Sequence, residues 1–274
     1  MITFTLDLED HRPNDKYKKR YPEITRQVLS LLDENSVKGT FFVVGAIAND
    51  TPDLIKEIAN KGHELAFHSY AHQQLQDETP ERFKQETALG KKILEDISGQ
   101  EVIGYRAPVF SLTKNTMWAL DTLSELGFKY SSSVLPASNP LNGFPDVPKN
   151  PFYWPNDLLE IPVPVANIGP VSIPYLGGVY LRYLPKSLIK KIIELSNGKN
   201  LWTYCHPYDF DSDEPFFKIK GAGLLTSLIL WFNRSNTQDK ISFLLSLNRE
   251  NNPAMTFSAQ YAAGVFKNAK KISI

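Results

Sequence analysis

The sequence has almost no cysteine and no excess of charge of either sign, and each absence excludes something. Cys205 is the only cysteine among 274 residues, so no disulfide can form within the chain, and the lone thiol fits a reducing compartment. The 30 basic and 30 acidic residues cancel. Because a nucleic-acid backbone is held by a field of positive charge, this balance disfavours a nucleic-acid partner.

Long apolar segments are also lacking. The longest, residues 224–232, is interrupted by Thr226 and Ser227 and falls far short of the ~20 residues that a membrane helix needs. We expect it to be a buried helix, with contact to a membrane surface as the alternative. Residues 1–7 show no basic stretch followed by an apolar one, which predicts no signal peptide. We therefore expect a cytoplasmic protein without a membrane span.

Strand-like and helix-like segments alternate through the first half of the chain. The predicted strands are residues 2–8, 39–44, 64–67, 102–105 and 130–134. The predicted helices are residues 22–34, 51–61, 79–98 and 114–126. Alternation of this kind indicates an α/β fold with parallel strands and helices outside. We expect a distorted (β/α) barrel with about seven parallel strands, in one domain that spans residues 1–274 and ends in a helical extension, residues 216–274.

Proline is concentrated in residues 135–180, which hold ten of the 19 prolines. Prolines at this density prevent long helices and central strands. We therefore expect proline-rich loops and short edge strands, which form one wall of a groove.

Polar residues that can bind a metal follow several of the predicted strands. His68 and His72 are four residues apart, so on one turn of helix their rings could share an ion, although such a pair alone is more often structural. The first strand ends in three carboxylates, those of Asp7, Glu9 and Asp10. Crowded carboxylates repel one another, and a cation would offset that cost. Arg106 and His206 also follow strands, and in barrels the chemistry lies at this end.

These groups together suit hydrolysis of an amide or an ester. A carboxylate and two imidazoles leave open positions on a divalent metal, as catalytic sites do. Such an ion polarises a carbonyl and lowers the pKa of a bound water toward ~7. A second carboxylate can then remove a proton from the water, and a histidine can protonate the leaving amine.

Five segments in order resemble the polysaccharide deacetylases of carbohydrate esterase family four, which carry the nodulation-type deacetylase homology domain. The resemblance covers about residues 1–215. The segments are Thr5-Leu6-Asp7-Leu8-Glu9-Asp10, His68-Ser69-Tyr70-Ala71-His72, Gly104-Tyr105-Arg106-Ala107-Pro108, Leu176-Gly177-Gly178 through Arg182-Tyr183-Leu184-Pro185, and Tyr204-Cys205-His206-Pro207-Tyr208-Asp209. The last two resemble the subgroup linked to bacterial surface polysaccharide synthesis.

The resemblance implies a role for each site residue. Asp7 would be the general base, Arg106 would orient it, and His206 would be the general acid. His68 and His72 would bind the divalent metal, usually zinc and sometimes cobalt or another ion. The third ligand stays open: alignment without gaps points to Glu9, whereas a one-residue bulge would present Asp10.

The implied activity is removal of an N-acetyl group from an amino sugar in a bacterial surface polysaccharide or its precursor. The substrate could be a glycan, a lipid-linked intermediate or a nucleotide sugar. One alternative is hydrolysis of a small cyclic amide or formamide, which a closed pocket would favour over an open groove. Another is an inert sugar-binding homologue. Arg182, Tyr208 and Asp209 are further candidates for residues that line the sugar groove.

Overall fold

The computed structural model describes residues 1–139, 142–169, 171–196, 200–219, 223–248 and 254–273. The strands are β1 Ile2–Thr3, β2 Thr5–Leu8, β3 Thr40–Val43, β4 Glu64–Phe67, β5 Gly104–Tyr105, β6 Tyr130–Ser131, β7 Phe152–Tyr153, β8 Leu159–Glu160, β9 Ala166–Ile168, β10 Val171–Ile173, β11 Leu201–Trp202 and β12 Lys270–Lys271. The helices are α1 Tyr21–Glu34, α2 Gly45–Asp50, α3 Pro52–Asn60, α4 Pro80–Ser98, α5 Ala119–Glu125, α6 Gly178–Tyr183, α7 Lys186–Leu195, α8 Leu224–Trp231, α9 Asn236–Ser246 and α10 Phe257–Ala262.

Parallel strands form the centre of the molecule. In spatial order, β2, β3, β4, β5, β6 and β8 pair side by side and all run in the same direction. On the other side of the first strand, β11 pairs in parallel with β1, and the ladder continues where Asp7 N donates to Cys205 O at 2.8 Å. The antiparallel β7 and then β12 extend the opposite edge. The α/β architecture with parallel strands is confirmed, whereas the number of strands in a closed barrel stays a prediction.

Local sequence signals explain where several helices begin and end. The Thr79 side chain accepts a hydrogen bond from Arg82 N, Pro80 occupies the first helical position, and Gly99 ends α4 in the left-handed conformation with φ 69°. These bounds are those expected from the sequence. Most predicted strands are longer than the observed ones, since β5 and β6 have two residues each.

Two predicted helices differ from the structure, and the expectation for the proline-rich segment holds in part. The predicted helix 114–126 is divided into a 3₁₀ helix, Lys114–Thr116, and α5. Residues 224–232 were expected to form a buried helix, but Ser227 is the only buried residue of α8. The described part of the proline-rich segment contains short strands and turns, as expected, until α6 begins at Gly178, but β8 lies between β7 and β6 and is not an edge strand. Pro140 and Pro170 lie outside the described residues.

The C-terminal residues contact the beginning of the chain. The Asn248 side chain pairs with both backbone groups of Ile2, and the backbone nitrogen of Phe257 donates to the Thr40 side chain at 3.0 Å. The segment expected to be a helical extension therefore packs directly on the first strands. Within the described residues, no helix combines the length and the apolar character needed to cross a membrane.

Candidate active site

Three groups that can bind a metal meet beyond the C-terminal ends of β2 and β4. One ligand atom each from Glu9, His68 and His72 lies within 4.8 Å of the other two. Nε2 of His68 is 4.0 Å from Glu9 Oε2, and Nε2 of His72 contacts the same oxygen directly. Burial alone would raise the pKa of Glu9, but the imidazoles of His72 and His206 outweigh it and hold the pKa below its usual range. Glu9 is therefore a carboxylate that faces two imidazoles.

The two histidines do not converge through a helical turn, as their spacing led us to expect. Residues 68–72 form a loop after β4, in which Ser69 and His72 adopt left-handed conformations with φ 61° and 55°. The tight reversal turns His72 back over His68, with 5.2 Å between ring centroids. The two imidazoles do lie close together, but the backbone that brings them together is a strained turn and not a helix.

His68 is held in one orientation by the backbone. Its Nδ1 donates to the carbonyl oxygen of Arg106 at 2.8 Å, so Nε2 carries the lone pair that faces Glu9. Burial lowers the pKa of His68 to about 4. The ring is therefore neutral at physiological pH, the form in which imidazole binds a metal.

Only one of the two candidates for the third ligand belongs to this cluster. Asp7 and Glu9 are two residues apart at the end of β2, so their side chains point to the same side, while Asp10 points away. Arg12 holds Asp10 through its Nε at 3.0 Å and its Nη2 at 2.7 Å. The structure thus brings Glu9 to His68 and His72 and places Asp10 outside the cluster.

Arg106 connects Asp7 to the interior. Its Nη1 donates to Asp7 Oδ1 at 2.5 Å and to Thr5 Oγ1 at 2.9 Å, and its side chain is fully buried. The guanidinium carbon lies 3.8 Å from the centre of the Phe42 ring and 4.4 Å from that of Trp202. Oδ2, the second oxygen of Asp7, remains directed at the cluster, 3.9 Å from His68 Nε2.

His206 completes the site from the opposite side. Its Nε2 is 3.9 Å from Asp7 Oδ2 and 3.9 Å from Glu9 Oε1. Its Nδ1 pairs with Asp209 Oδ2 at 2.8 Å. Burial alone would lower the pKa of His206, but the carboxylates of Glu9, Asp209 and Asp7 raise it to about 9. The imidazole is therefore protonated at neutral pH.

A buried support behind His206 was not predicted from the sequence. Arg182 Nη2 lies 3.6 Å from Asp209 Oδ1, and both side chains are 1% exposed, so the expectation that they line the sugar groove is wrong. Arg182 Nη1 donates to the carbonyl oxygen of Leu230, and the Thr237 hydroxyl donates to that of Asp209. The spacing of three residues between His206 and Asp209 was the available sequence signal.

An aromatic stack lies beside the cluster. The Tyr208 ring is stacked on His206, with 4.7 Å between centroids, and on His11, with 4.1 Å. His11 Nε2 pairs with Glu214 at 2.8 Å, and Arg234 Nη1 donates to the same carboxylate at 2.5 Å. Tyr208 is thus fixed between two imidazoles.

A cavity of about 210 Å³ brings the reactive groups together. It is lined by Asp7, Glu9, His68, His72, Val109, Phe110, Tyr204, His206 and Tyr208. Two of the lining residues, Val109 and Phe110, have left-handed backbone conformations, with φ 54° and 51°. This conformation is unfavourable for Val109 in particular, because valine is β-branched.

Two sequence profiles of protein families match consecutive parts of the chain. Residues 10–131 match the polysaccharide deacetylase family, and residues 132–255 match a domain of unknown function (DUF3473). Residues 10–131 are thus similar to a polysaccharide deacetylase domain. The family expected from the five segments is confirmed.

Curated relatives match this chain over part of their length. The peptidoglycan-N-acetylglucosamine deacetylase of Bacillus cereus is 30% identical over 100 residues, which are 36% of this chain and 36% of the relative. The chitooligosaccharide deacetylase of Azorhizobium caulinodans is 32% identical over 89 residues, 32% of this chain and 42% of the relative. The chain thus matches less than half the length of either relative.

Solved structures resemble the whole described fold. A Mycobacterium smegmatis protein assigned to the polysaccharide deacetylases has a TM-score of 0.64 at 19% identity and covers 100% of this chain and 92% of its own. Bacillus subtilis PdaC, a peptidoglycan deacetylase, has a TM-score of 0.52 at 15% identity, with coverages of 97% and 92%. A pseudoenzyme of the same family from Bacillus anthracis has a TM-score of 0.51 at 12% identity, with coverages of 99% and 66%. At these identities the likeness shows the fold alone.

Proposed function

We propose that the chain is a metal-dependent hydrolase that removes an N-acetyl group from an amino sugar of a glycan. One observation carries the proposal: a single cavity presents a carboxylate and two imidazoles beside a second carboxylate, that of Asp7, and a third imidazole, that of His206. The named activities of the two curated relatives, on peptidoglycan and on chitooligosaccharides, support the same reaction class.

The cluster of Glu9, His68 and His72 fits a divalent cation. Two imidazole nitrogens and one carboxylate oxygen suit zinc, with cobalt or a similar ion as a substitute, and leave positions open for substrate. The backbone contact to His68 Nδ1 fixes its other nitrogen toward the cluster, as outer hydrogen-bond partners do in metal sites. When bound, such an ion supplies Lewis-acid chemistry, which polarises a carbonyl and makes water more acidic.

In this proposal Asp7 acts as the general base. One of its oxygens is occupied by Arg106, and the other faces the cavity and can accept the proton of the attacking water. Arg106 fixes the orientation of the carboxylate, so the free oxygen is directed at the place where water must attack. The hydroxyl then adds to the acetyl carbon.

In this proposal His206 acts as the general acid. Its Nε2 proton faces Asp7 and Glu9 across the cavity, and Asp209 holds the other side of the ring. When the amide C–N bond breaks, the departing sugar nitrogen takes this proton and leaves as the amine, and acetate is the second product.

The biological setting belongs to the same proposal. We propose a bacterial surface polysaccharide such as a capsule or O-antigen, or its lipid- or nucleotide-linked precursor, modified in the cytoplasm. The Bacillus anthracis pseudoenzyme means that the fold alone does not decide activity. The presence of both histidines, the carboxylates, Arg106 and His206 supports an active enzyme over an inert sugar-binding homologue.

Acetate release tests this function. Purified protein is incubated with N-acetylated chitooligosaccharides and peptidoglycan fragments, with and without a chelator and with zinc or cobalt added back. We expect release that the chelator abolishes, the metal restores and His68→Ala eliminates. Undiminished release by a His68→Ala protein that has lost its metal would refute the proposal.

A further inference from the structure

The chain just before His206 is held by the start of α6. Gly178 N donates to the carbonyl oxygen of Tyr204 at 3.1 Å, and Gly177 forms a parallel bridge with the same residue. A Cβ atom at Gly177 would overlap that carbonyl oxygen, so the close approach requires glycine. The two glycines therefore fix the backbone two residues before His206.

The chain just after His206 is held by the other end of the same helix. Asp209 Oδ2 accepts from the backbone nitrogen and from Nδ1 of His206, whereas Oδ1 lies 3.6 Å from Arg182 Nη2 and has no hydrogen-bond partner among the described residues. Arg182 and Asp209 are each 1% exposed, so water does not screen their attraction. The guanidinium thus favours the orientation of the carboxylate in which Oδ2 faces the ring.

Further contacts hold Arg182 and α6 in place. Arg182 Nη1 donates to the carbonyl oxygen of Leu230 at 3.0 Å. The buried ammonium group of Lys240 donates to the carbonyl oxygens of Leu181 at 2.8 Å and of Arg182 at 2.9 Å. Among the described residues that line the cavity, neither Arg182 nor Lys240 occurs. Any effect of Arg182 on the reaction must therefore pass through the residues that it holds.

We propose that α6 positions the general acid, and that Arg182 is the positioning residue through which it does so. The inference rests on the proposed function, since that function assigns the acid role to His206. Without the guanidinium, Asp209 Oδ1 would be a buried charge with no partner, which is costly. The carboxylate would then turn away from the ring, and His206 would no longer direct its Nε2 at the leaving nitrogen.

This proposal also gives a role to part of the segment that matches DUF3473. That segment, residues 132–255, contains both α6 and His206, whereas His68 and His72 belong to the part that matches the deacetylase profile. The DUF3473 part thus supplies the acid of the shared site together with the helix that holds it.

Comparison of an amide with an activated ester tests this role. The amide nitrogen must be protonated as its bond to carbon breaks, whereas para-nitrophenolate leaves para-nitrophenyl acetate as an anion without a proton. Arg182→Lys keeps the charge but loses the planar fork that reaches Leu230 and Asp209 together. We expect kcat for acetylated chitooligosaccharides to fall roughly tenfold to a hundredfold, and kcat for the ester to fall less than about twofold. A merely structural role would lower both by the same factor.

Gly178→Ala is a second variant, which leaves every charge in place. Gly178 has φ 50°, and a Cβ there would lie 3.2 Å from the Tyr204 ring, so the substitution strains the support on the other side of His206. It should also reduce amide turnover more than ester turnover. Arg20→Lys is the matched control, since Arg20 Nη2 donates to Asp211 at 2.7 Å, and it should leave the ratio of the two activities unchanged.

Histidine NMR tests the placement of His206 without turnover, so its result is separate from that for deacetylation. The chain has five histidines, and the signal missing from isotope-labelled His206→Gln identifies that ring. We expect Arg182→Lys to move the His206 Nδ1 signal and Arg20→Lys to leave it in place. An unmoved signal in Arg182→Lys would overturn the proposal, as would equal loss of amide and ester turnover in Arg182→Lys and Gly178→Ala. A moved signal in a protein that releases no acetate would refute the deacetylase function and leave the support of His206 by α6 standing.

Discussion

His206 and Asp209 are joined by two hydrogen bonds within one short turn. Asp209 Oδ2 accepts from the backbone nitrogen of His206 at 2.9 Å and from its Nδ1 at 2.8 Å. The 3₁₀ helix Pro207–Phe210 provides the spacing that brings the two residues together. The carboxylate of Asp209 thus fixes both the backbone and the ring of His206, the proposed general acid. It also favours the protonated, charged form of that ring.

We expect Asp209→Asn to shift the pH dependence of deacetylation. Loss of this carboxylate lowers the pKa of His206 from about 9 toward its ordinary value. A general acid acts in its protonated form, so activity falls as pH rises through that pKa, and the alkaline limb of the kcat profile should move to lower pH. At neutral pH this shift alone should lower kcat by no more than about fourfold, because about a quarter of the rings stay protonated at pH 7 even at the ordinary histidine value.

Asp213→Asn is the control for that variant, since Asp213 is exposed and four residues further along the chain. Its pH profile should match that of the unsubstituted protein. A uniform loss of rate in Asp209→Asn, with the alkaline limb unmoved, would mean that Asp209 only supports the fold.

Glu9 and Asp10 should respond oppositely to loss of charge. Glu9→Gln removes a carboxylate that faces both imidazoles, so we expect metal content and acetate release to be lost together. Asp10→Asn changes a side chain held by Arg12, so the protein should keep its metal and most of its activity. Metal analysis and acetate release on the two proteins check this, and the reverse pattern would assign the third ligand to Asp10.

The sequence predicts well which polar residues lie at the ends of strands, because strand alternation and turn residues are local properties. From the sequence, one end of a parallel sheet is predicted to carry Asp7, His68, Arg106 and His206. The structure places these four residues within one site. The sequence left Glu9 and Asp10 open, since that choice depends on whether the strand continues for one more residue without a bulge.

Other features depend on contacts between distant residues. No local pattern shows that Arg182 approaches Asp209, or that the carbonyl oxygen of Leu230 on α8 accepts a hydrogen bond from that arginine. The left-handed turn at Ser69 and His72 also replaces the helix that their spacing predicts, because the chain must reverse directly after β4. α8 is apolar and yet exposed. From composition alone, a helix of this kind is expected in the hydrophobic core.

Arg106→Ala should destabilise the protein strongly. Arg106 is fully buried beside Asp7, and removal of one partner leaves an uncompensated buried charge, at a cost of about 3–5 kcal/mol. Urea unfolding measures the loss. The double variant Asp7→Ala with Arg106→Ala should be less destabilised than the sum of the two single variants, because the unpaired charge is gone. Additive losses would show that the pair is not coupled.

His63 should make folding stability depend on pH. Its Nδ1 accepts from Gly39 N at 3.0 Å, and burial lowers its pKa to about 4, against an ordinary histidine value of 6.5. Between these values the unfolded chain binds the proton more readily than the folded one, so this contribution to stability is present above pH 6.5 and is lost as pH falls toward 4. The loss should reach about 3 kcal/mol.

His63→Gln isolates this contribution, since an amide oxygen can accept the same bond without titrating. We expect the free energy of unfolding of the variant to vary less between pH 6.5 and 4 than that of the unsubstituted protein. Equal pH dependence in urea unfolding of the two proteins would exclude His63 as the cause.

Asn248→Ala tests whether the first strand, β1, depends on the C-terminal part of the chain for its stability. The Asn248 side chain accepts from Ile2 N and donates to Ile2 O, both at 2.8 Å, and so substitutes for a neighbouring strand. Its loss leaves two buried backbone groups unpaired, which should lower the free energy of unfolding by about 2–4 kcal/mol. Asn115→Ala, at an exposed position, should change it by less than about 0.5 kcal/mol. Equal effects of the two substitutions in urea unfolding would mean that β1 pairs stably without Asn248.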